Sequence, residues 1–377
     1  MTDTSGLAGV LAPHVDEGPV PGAVGLVARG DEVEVAAVGH ANAEGTAPLA
    51  RDSIFRIASI TKPVVAAAVM TLIEDGRLAL DSPVAHWLPE LAAPNVVRDP
   101  AGPVEDVVPA ARPVTVEDLL TFRAGWGFSS DFSLPVMQLL FPLMDPHHPQ
   151  RLPEPDTWLA ALAQVPLLHQ PGTAWLYNTC SDIQGVLIAR VTGTSLPDYL
   201  AERIFTPLGM KDTGFEVPAA ARARFTSQYV PTADGGRELV DTPDGQWSGP
   251  PAFPSGAGGL VSTADDWWAF ARMLLAGGGP VLSSDSVRLM TTDHLTAAQR
   301  RASELFTEGQ GWGFGGSVDV EPREKWQVPG RYGWVGGTGT AAHLTPSTGA
   351  VTILLTQLAM AGPTPPQIMR DFWAYAS

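Results

Sequence analysis

A chain of 377 residues that is 45% hydrophobic can bury a large core, as one big domain or two interleaved ones. Forty acidic residues against 23 basic leave a formal net charge of −17 with no Lys/Arg cluster, which argues against nucleic acid and anionic membranes as partners. The single cysteine, Cys180, excludes an internal disulfide and any cysteine-based zinc or iron–sulfur site, and reads as a small buried apolar side chain.

The first 18 residues lack a basic leader and an unbroken apolar segment, and no apolar run reaches 18 residues, so the expected location is the cytoplasm. "AVGLVARGDEVEVAAVGHANAEG" alternates small and β-branched residues on either side of Gly30-Asp31, the pattern of a hairpin. From Pro63 to Asp75 the apolar residues recur at helical spacing, and Gly76 follows as a stop. The Pro-rich stretch Leu91–Pro113 reads as a long surface loop. Helical patterns then cover Thr157–Gln164, Asp182–Val191 and Pro197–Ile204, and Ser262 with Asp265 forms a capping box ahead of "WWAFARMLLAGG". After about Gly311, "GWGFGGSVDVE", "RYGWVGGTGTAAHLTP" and "AVTILLTQLAM" read as consecutive strands, and "PQIMRDFWAYA" closes as a helix. Strands at both ends with helices between them put the two ends of the chain in one sheet, with the middle as an insertion.

Within "FRIASITKPVVAAAVM", Ser59 stands three residues ahead of Lys62 as the first helix begins. Pro63 has no N–H and fits only the first turn, so the helix starts near Ser59 and directs free N–H groups and partial positive charge at the serine oxygen. Residues three apart share a helix face, which brings the Lys62 amine within hydrogen-bonding reach of Ser59; partial burial then lowers its pKa toward neutrality and makes it a proton acceptor. Ser-x-x-Lys alone is a short pattern, equally compatible with a capping serine and a solvated lysine.

Three further segments follow in order: "VTVEDLLTFRAGWG", "QPGTAWLYNTCSDIQGVLIARVTG" and "YGWVGGTGT". With "SITK" they make the chain resemble the serine β-lactamase and penicillin-binding-protein superfamily, in its class C-like branch, from about Pro21 to Phe372. The resemblance implies a β-lactamase-like α/β (α+β) fold: an antiparallel sheet flanked by helices from residues 1–85 and 240–377, a mostly helical domain from 86–239, and an active site between them. It places Tyr177 at the catalytic tyrosine and Trp334-Val335-Gly336 on the third motif. The tyrosine motif departs from Tyr-x-Asn, reading Tyr177-Asn178-Thr179, so Asn178 and Thr179 are the expected substrate contacts in its place. Trp334 replaces the lysine that attracts a substrate carboxylate. Losing a charge-assisted hydrogen bond of roughly 1.5–3 kcal/mol weakens binding of an anionic substrate about ten- to a hundredfold. Such a third motif is most similar to the family VIII carboxylesterases.

The resemblance therefore implies an esterase for short-to-medium acyl chains. Ser59 attacks the carbonyl of a small-molecule ester, Lys62 with a partly ionised Tyr177 serves as base, and the N–H groups of Ser59 and Gly337 form the oxyanion hole. Trp126, Trp334 and Gly336 complete the expected substrate pocket, with Trp175 and Trp312 nearby. No cofactor or metal is expected. His147-His148 reads as a solvated pair, the histidines show no HExxH spacing, and Ser255 and Ser317 do not satisfy G-x-S-x-G. The same site suits a β-lactamase, a D-amino-acid amidase or peptidase, or an acyltransferase, and a non-catalytic binding protein of this fold is the rival from another class.

Overall fold

A computed structural model describes residues 6–30, 32–145 and 149–377. The expected N-terminal hairpin forms from Gly22–Arg29 (β1) and Glu32–Gly39 (β2), antiparallel from Gly22 opposite Gly39 to Arg29 opposite Glu32. Gly30 supports the turn with φ +60°, which an L side chain resists. Asp31, the other half of the expected turn, lies outside the described residues. At the far end of the chain, Gly311–Trp312 (β3), Ser317–Val318 (β4), Tyr332–Gly336 (β5), Thr340–Thr345 (β6) and Ala350–Thr356 (β7) complete one antiparallel sheet in the order β2-β1-β7-β6-β5-β4-β3. Its two halves meet where Val24 lies opposite Leu355.

The helices of ten or more residues are Gly6–Asp16 (α1), Lys62–Glu74 (α2), Thr179–Thr192 (α3), Ala264–Leu275 (α4) and Gln367–Ala376 (α5). Strand residues alternate between faces. Ala23, Val27 and Leu354 lie under α1 and α5, whereas Val24, Leu26, Ile353 and Leu355 face the main core with α2 and α4. Every residue from Lys62 to Leu72 is buried, so α2 is surrounded on all sides and shows little amphipathic pattern.

Several boundaries differ from the sequence expectations. The helix expected at 182–191 begins three residues earlier, at Thr179, and ends at a left-handed Gly193 with φ 72°. The helix expected at 197–204 is an α-turn, Leu196–Leu200, that widens into a π-turn at Ala201–Phe205. Thr263, not Ser262, caps α4, accepting from the Asp266 N–H; Ser262 belongs to a short strand, Val261–Ser262, paired with Phe55–Arg56, and Asp265 turns outward to Arg51. The Pro-rich stretch is a paired ribbon, Asn95–Val97 against Val107–Pro109. The expected domain boundary at 239/240 cuts a hairpin, Gln228–Pro231 with Arg237–Asp241, and one apolar cluster runs unbroken from the sheet into the helical half.

Candidate active site

The chain enters α2 through a 3₁₀ turn, Ala58–Thr61. In 3₁₀ geometry residues i and i+3 eclipse, so Ser59 and Lys62 stack: the Lys62 Nζ lies 2.8 Å from Ser59 Oγ. Ala58 holds φ +42°, an unfavourable conformation for a residue with a Cβ, and such strain is characteristic of functional turns. Ser59 is half-buried and Lys62 fully buried. The amine also donates to Ala257 O at 2.6 Å. Desolvation lowers the Lys62 pKa to about 7, against the opposing attraction of Asp182.

Tyr177 reaches the same oxygen from a different segment. Its backbone exchanges two 2.9 Å hydrogen bonds with Phe128, and the next residue, Asn178, turns with φ +83°. The hydroxyl is hydrogen-bonded with the Ser59 side chain and accepts from Trp334 Nε1 at 2.7 Å. Lys62 Nζ lies 4.8 Å from the ring centroid, on its electron-rich face. Phe306 stacks on the same ring at 5.0 Å. Burial pushes the phenol up to about 12, which the bonds with Ser59 and Trp334 only partly offset. Burial thus opposes the partial ionisation of Tyr177 expected from sequence.

The end of β5 approaches from the third side. A Cβ on Gly336 would stand 2.1 Å from Thr340 Oγ1 and 2.5 Å from Ile57 O, so only glycine lets the strand close on the segment before the serine. Thr338 Oγ1 donates to Arg56 O at 2.6 Å and Thr340 Oγ1 to Ile57 O at 3.0 Å, which stitches the two segments together. Gly337 and Ser59 consequently line one cleft of about 610 Å³. Met144, Leu152, Val230, Val240 and Met360 supply apolar wall; Asn178, Gln228 and Gln246 supply neutral amides. Among the described residues of its lining, Arg56 is the single cation, and it is committed. The guanidinium pairs with buried Asp241, donates to Thr226 O and Thr242 O, and packs 4.0 Å from the Phe225 ring centroid; burial lowers its pKa only to about 10, so it stays charged.

Not every residue expected at the site reaches the cleft. Trp126 belongs to the core beneath it, with its indole N–H on Val165 O at 2.9 Å. Trp175 and Trp312 are buried with Phe122, supporting Tyr177 from behind. Trp334 is 5% exposed and meets the tyrosine instead of lining the cleft wall. Thr179 is buried at the start of α3 and its hydroxyl has no partner, while its neighbour Asn178 does line the cleft. Gly336 acts by close approach and Gly337 by lining. His147-His148 lies outside the described residues. Among the described residues, no group of three metal-ligating side chains converges and no helix is long and apolar enough to cross a membrane.

Three charged residues of the cleft went unnoticed as site residues in the sequence. Asp182 lies buried at the cleft on α3, and the Arg56–Asp241 pair forms another wall. The available signal was a carboxylate inside the apolar run "TCSDIQGVLIA", where a buried acid requires donors.

The model of the family described as Beta-lactamase matches residues 7–367. Protein Rv1367c from Mycobacterium tuberculosis is 40% identical over 359 residues, covering 91% of this chain and 87% of that protein. Esterase EstB from Burkholderia gladioli is 31% identical over 367 residues, covering 92% and 88%. The solved structure of EstCE1, a hydrolase with promiscuous acyltransferase activity, superposes with a TM-score of 0.83 at 26% identity, over 98% of this chain and 96% of its own.

Proposed function

The chain belongs to the Beta-lactamase family, and we propose that within it the protein is a carboxylesterase acting on neutral esters of short-to-medium acyl chains through a serine acyl-enzyme. The observation that carries this reading is the buried Lys62 amine 2.8 Å from Ser59 Oγ, with a pKa lowered to about 7. An amine that is substantially uncharged near neutrality can take the serine proton, which a solvated lysine cannot.

Ser59 Oγ adds to the ester carbonyl as its proton passes to Lys62, and the carbonyl oxygen becomes an oxyanion facing the main-chain N–H groups of Ser59 and Gly337. Collapse breaks the bond to the alcohol, whose oxygen takes the proton of the neutral Tyr177 phenol; Lys62 then returns a proton to the tyrosine. Water repeats the sequence on the acyl-enzyme and releases the carboxylic acid. The largely apolar cleft, whose one lining cation is already paired with Asp241 and which also carries Asp182, supports uncharged substrates over penicillins and D-Ala peptides. Similarity to Esterase EstB supports the same class.

The test is a burst of p-nitrophenol from p-nitrophenyl butyrate and a mass increment on Ser59 from a fluorophosphonate, both lost in Ser59→Ala. No turnover of any p-nitrophenyl ester by the purified protein would defeat the reading. A second reading, transfer of the acyl group to an alcohol other than water, is favoured by the likeness to EstCE1; product analysis with an added alcohol separates the two. The cytoplasmic location belongs to the same proposal and is checked by cell fractionation.

A further inference from the structure

Asp182 sits one turn into α3, 4% exposed, yet it faces the catalytic cleft. Its Oδ1 accepts from Ser255 Oγ at 2.7 Å and from the Ala257 N–H at 3.0 Å, and the Gly256 N–H adds a further backbone bond. These are donors only, as a carboxylate requires. The Ser255 hydroxyl also accepts from the Ala257 N–H at 3.2 Å, closing the turn on itself. Gly256 must be glycine because a Cβ there would fall 2.3 Å from Ser181 O on α3, so the turn is pressed against the helix that carries the acid. On its other side the turn presents the Ala257 carbonyl, which receives the Lys62 amine at 2.6 Å.

We propose that Asp182 is a positioning residue for the general base: its carboxylate ties down the 255–258 turn, and the Ala257 carbonyl of that turn holds the Lys62 amine on Ser59. The inference rests on the esterase reading above. Two distances define the hold, 2.6 Å from Nζ to Ala257 O and 2.8 Å from Nζ to Ser59 Oγ. An amine with four rotatable bonds in its stem keeps both only while the carbonyl stays fixed, and a misplacement of about 1 Å at such a site costs on the order of a hundredfold in rate.

Asp182 also acts through charge. The titratable groups around Lys62 are Tyr177 on the 177–178 bend and Asp182 on α3; the 255–258 turn and the end of β5 bring Ala257 and Trp334, which are uncharged. The carboxylate therefore holds the lysine pKa above the value that burial alone would impose. Removing the charge while keeping the shape makes Lys62 a base at lower pH.

The experiment follows kcat/KM for p-nitrophenyl butyrate against pH, with thermal melting as the check on folding. Asp182→Asn keeps an acceptor for Ser255 and Ala257, so its acidic limb moves down by about one pH unit with kcat on the plateau changed only a few-fold. Asp182→Ala frees the turn and lowers kcat at least about tenfold with little change in KM. A folded Asp182→Asn whose acidic limb coincides with that of the wild type overturns the inference. Should Asp182→Asn not fold, Ser255→Ala decides in its place: a fall in kcat with KM held supports the tie, and an unchanged kcat overturns it. Persistent turnover in Ser59→Ala would defeat the esterase reading itself, and this inference with it; an inactive Ser59→Ala beside an unmoved Asp182→Asn limb defeats this inference alone.

Discussion

Trp334 Nε1 donates a 2.7 Å hydrogen bond to the hydroxyl of Tyr177. The indole addresses the protein's own phenol and does not line the cleft. That bond occupies one lone pair of the phenol oxygen and fixes where the hydroxyl sits beside Ser59. Trp334→Phe keeps most of the packing and removes this bond. A neutral hydrogen bond is worth about 1 kcal/mol, so kcat should fall about fivefold with KM nearly constant; steady-state kinetics on p-nitrophenyl butyrate reads this, and an unchanged kcat would remove Trp334 from the positioning of Tyr177.

Lys62→Ala and Tyr177→Phe should each lower kcat by on the order of a hundredfold or more. Tyr177→Phe leaves the ring stacked on Phe306 and facing the Lys62 amine, so its melting temperature should stay near that of the wild type. Near-normal turnover by either variant would take that residue out of the chemistry.

Activity should rise with pH through about 7 and then level off. The sign follows from the base: below that pH Lys62 is an ammonium and cannot accept the serine proton. No alkaline fall is expected from Tyr177 until about 12, because burial holds the phenol neutral up to that point. Folding stability shares the direction. Lys62 has a lower pKa folded than the ordinary lysine value of 10.5, so between about 7 and 10.5 the unfolded chain binds more protons and this group's contribution to stability grows as pH rises. A pH–rate profile paired with melts in Lys62→Ala measures both; an acidic limb that stays in place in a variant with altered Lys62 surroundings would count against the assignment.

Substrate charge should matter more than acyl bulk. With Arg56 bound to Asp241, and with Asp182 at the cleft, a carboxylate on the acyl group finds no partner. The p-nitrophenyl ester of butyrate should exceed the p-nitrophenyl monoester of succinate by at least about tenfold in kcat/KM, the equivalent of one lost charge-assisted bond. Parity between the two esters would refute the neutral-substrate reading, as would strong turnover of nitrocefin.

Gly336→Ala should destabilise the protein by about 1–3 kcal/mol, as overpacking does, because the new methyl meets Thr340 Oγ1 and Ile57 O well inside contact distance. It should also cost kcat, since the strand that carries Gly337 must move away from Ser59. Melting and kinetics on the same preparation test the pair of effects.

The parts of the fold carried by local signals were legible in the sequence. Pro63 and Gly76 bracket α2 because both act within one turn of themselves. Alternation of small and β-branched residues over 22–39 exposes the hairpin because successive side chains go to opposite faces of the sheet, each face of β1 meeting a different apolar cluster. Ser59, Lys62 and Tyr177 converge as the motif order implies, the first two because 3₁₀ geometry eclipses them. What sequence could not supply was direction. Trp126 and Trp334 are both aromatic and both near motifs, yet one points into the core at Val165 and the other at Tyr177, a choice made by neighbours distant in the chain. Asp182 escaped notice because its donors, Ser255 and Ala257, lie more than seventy residues away. Ser262 and Thr263 are adjacent hydroxyls, and only the pairing of Val261–Ser262 with Phe55–Arg56 decides which of them caps α4.

The pairing of Val24 with Leu355 has a consequence for synthesis in the cell. Strand β1 cannot acquire its inner partner until some 330 further residues have been translated, which at 5–20 residues per second takes roughly 15–65 s. Throughout that interval an apolar strand edge is open on the nascent chain, and Ser59 has been made long before the amide of Gly337 exists to face it. The site is therefore incomplete until Gly337 has been made, and the waiting edge is the point at which a chaperone gains most by binding.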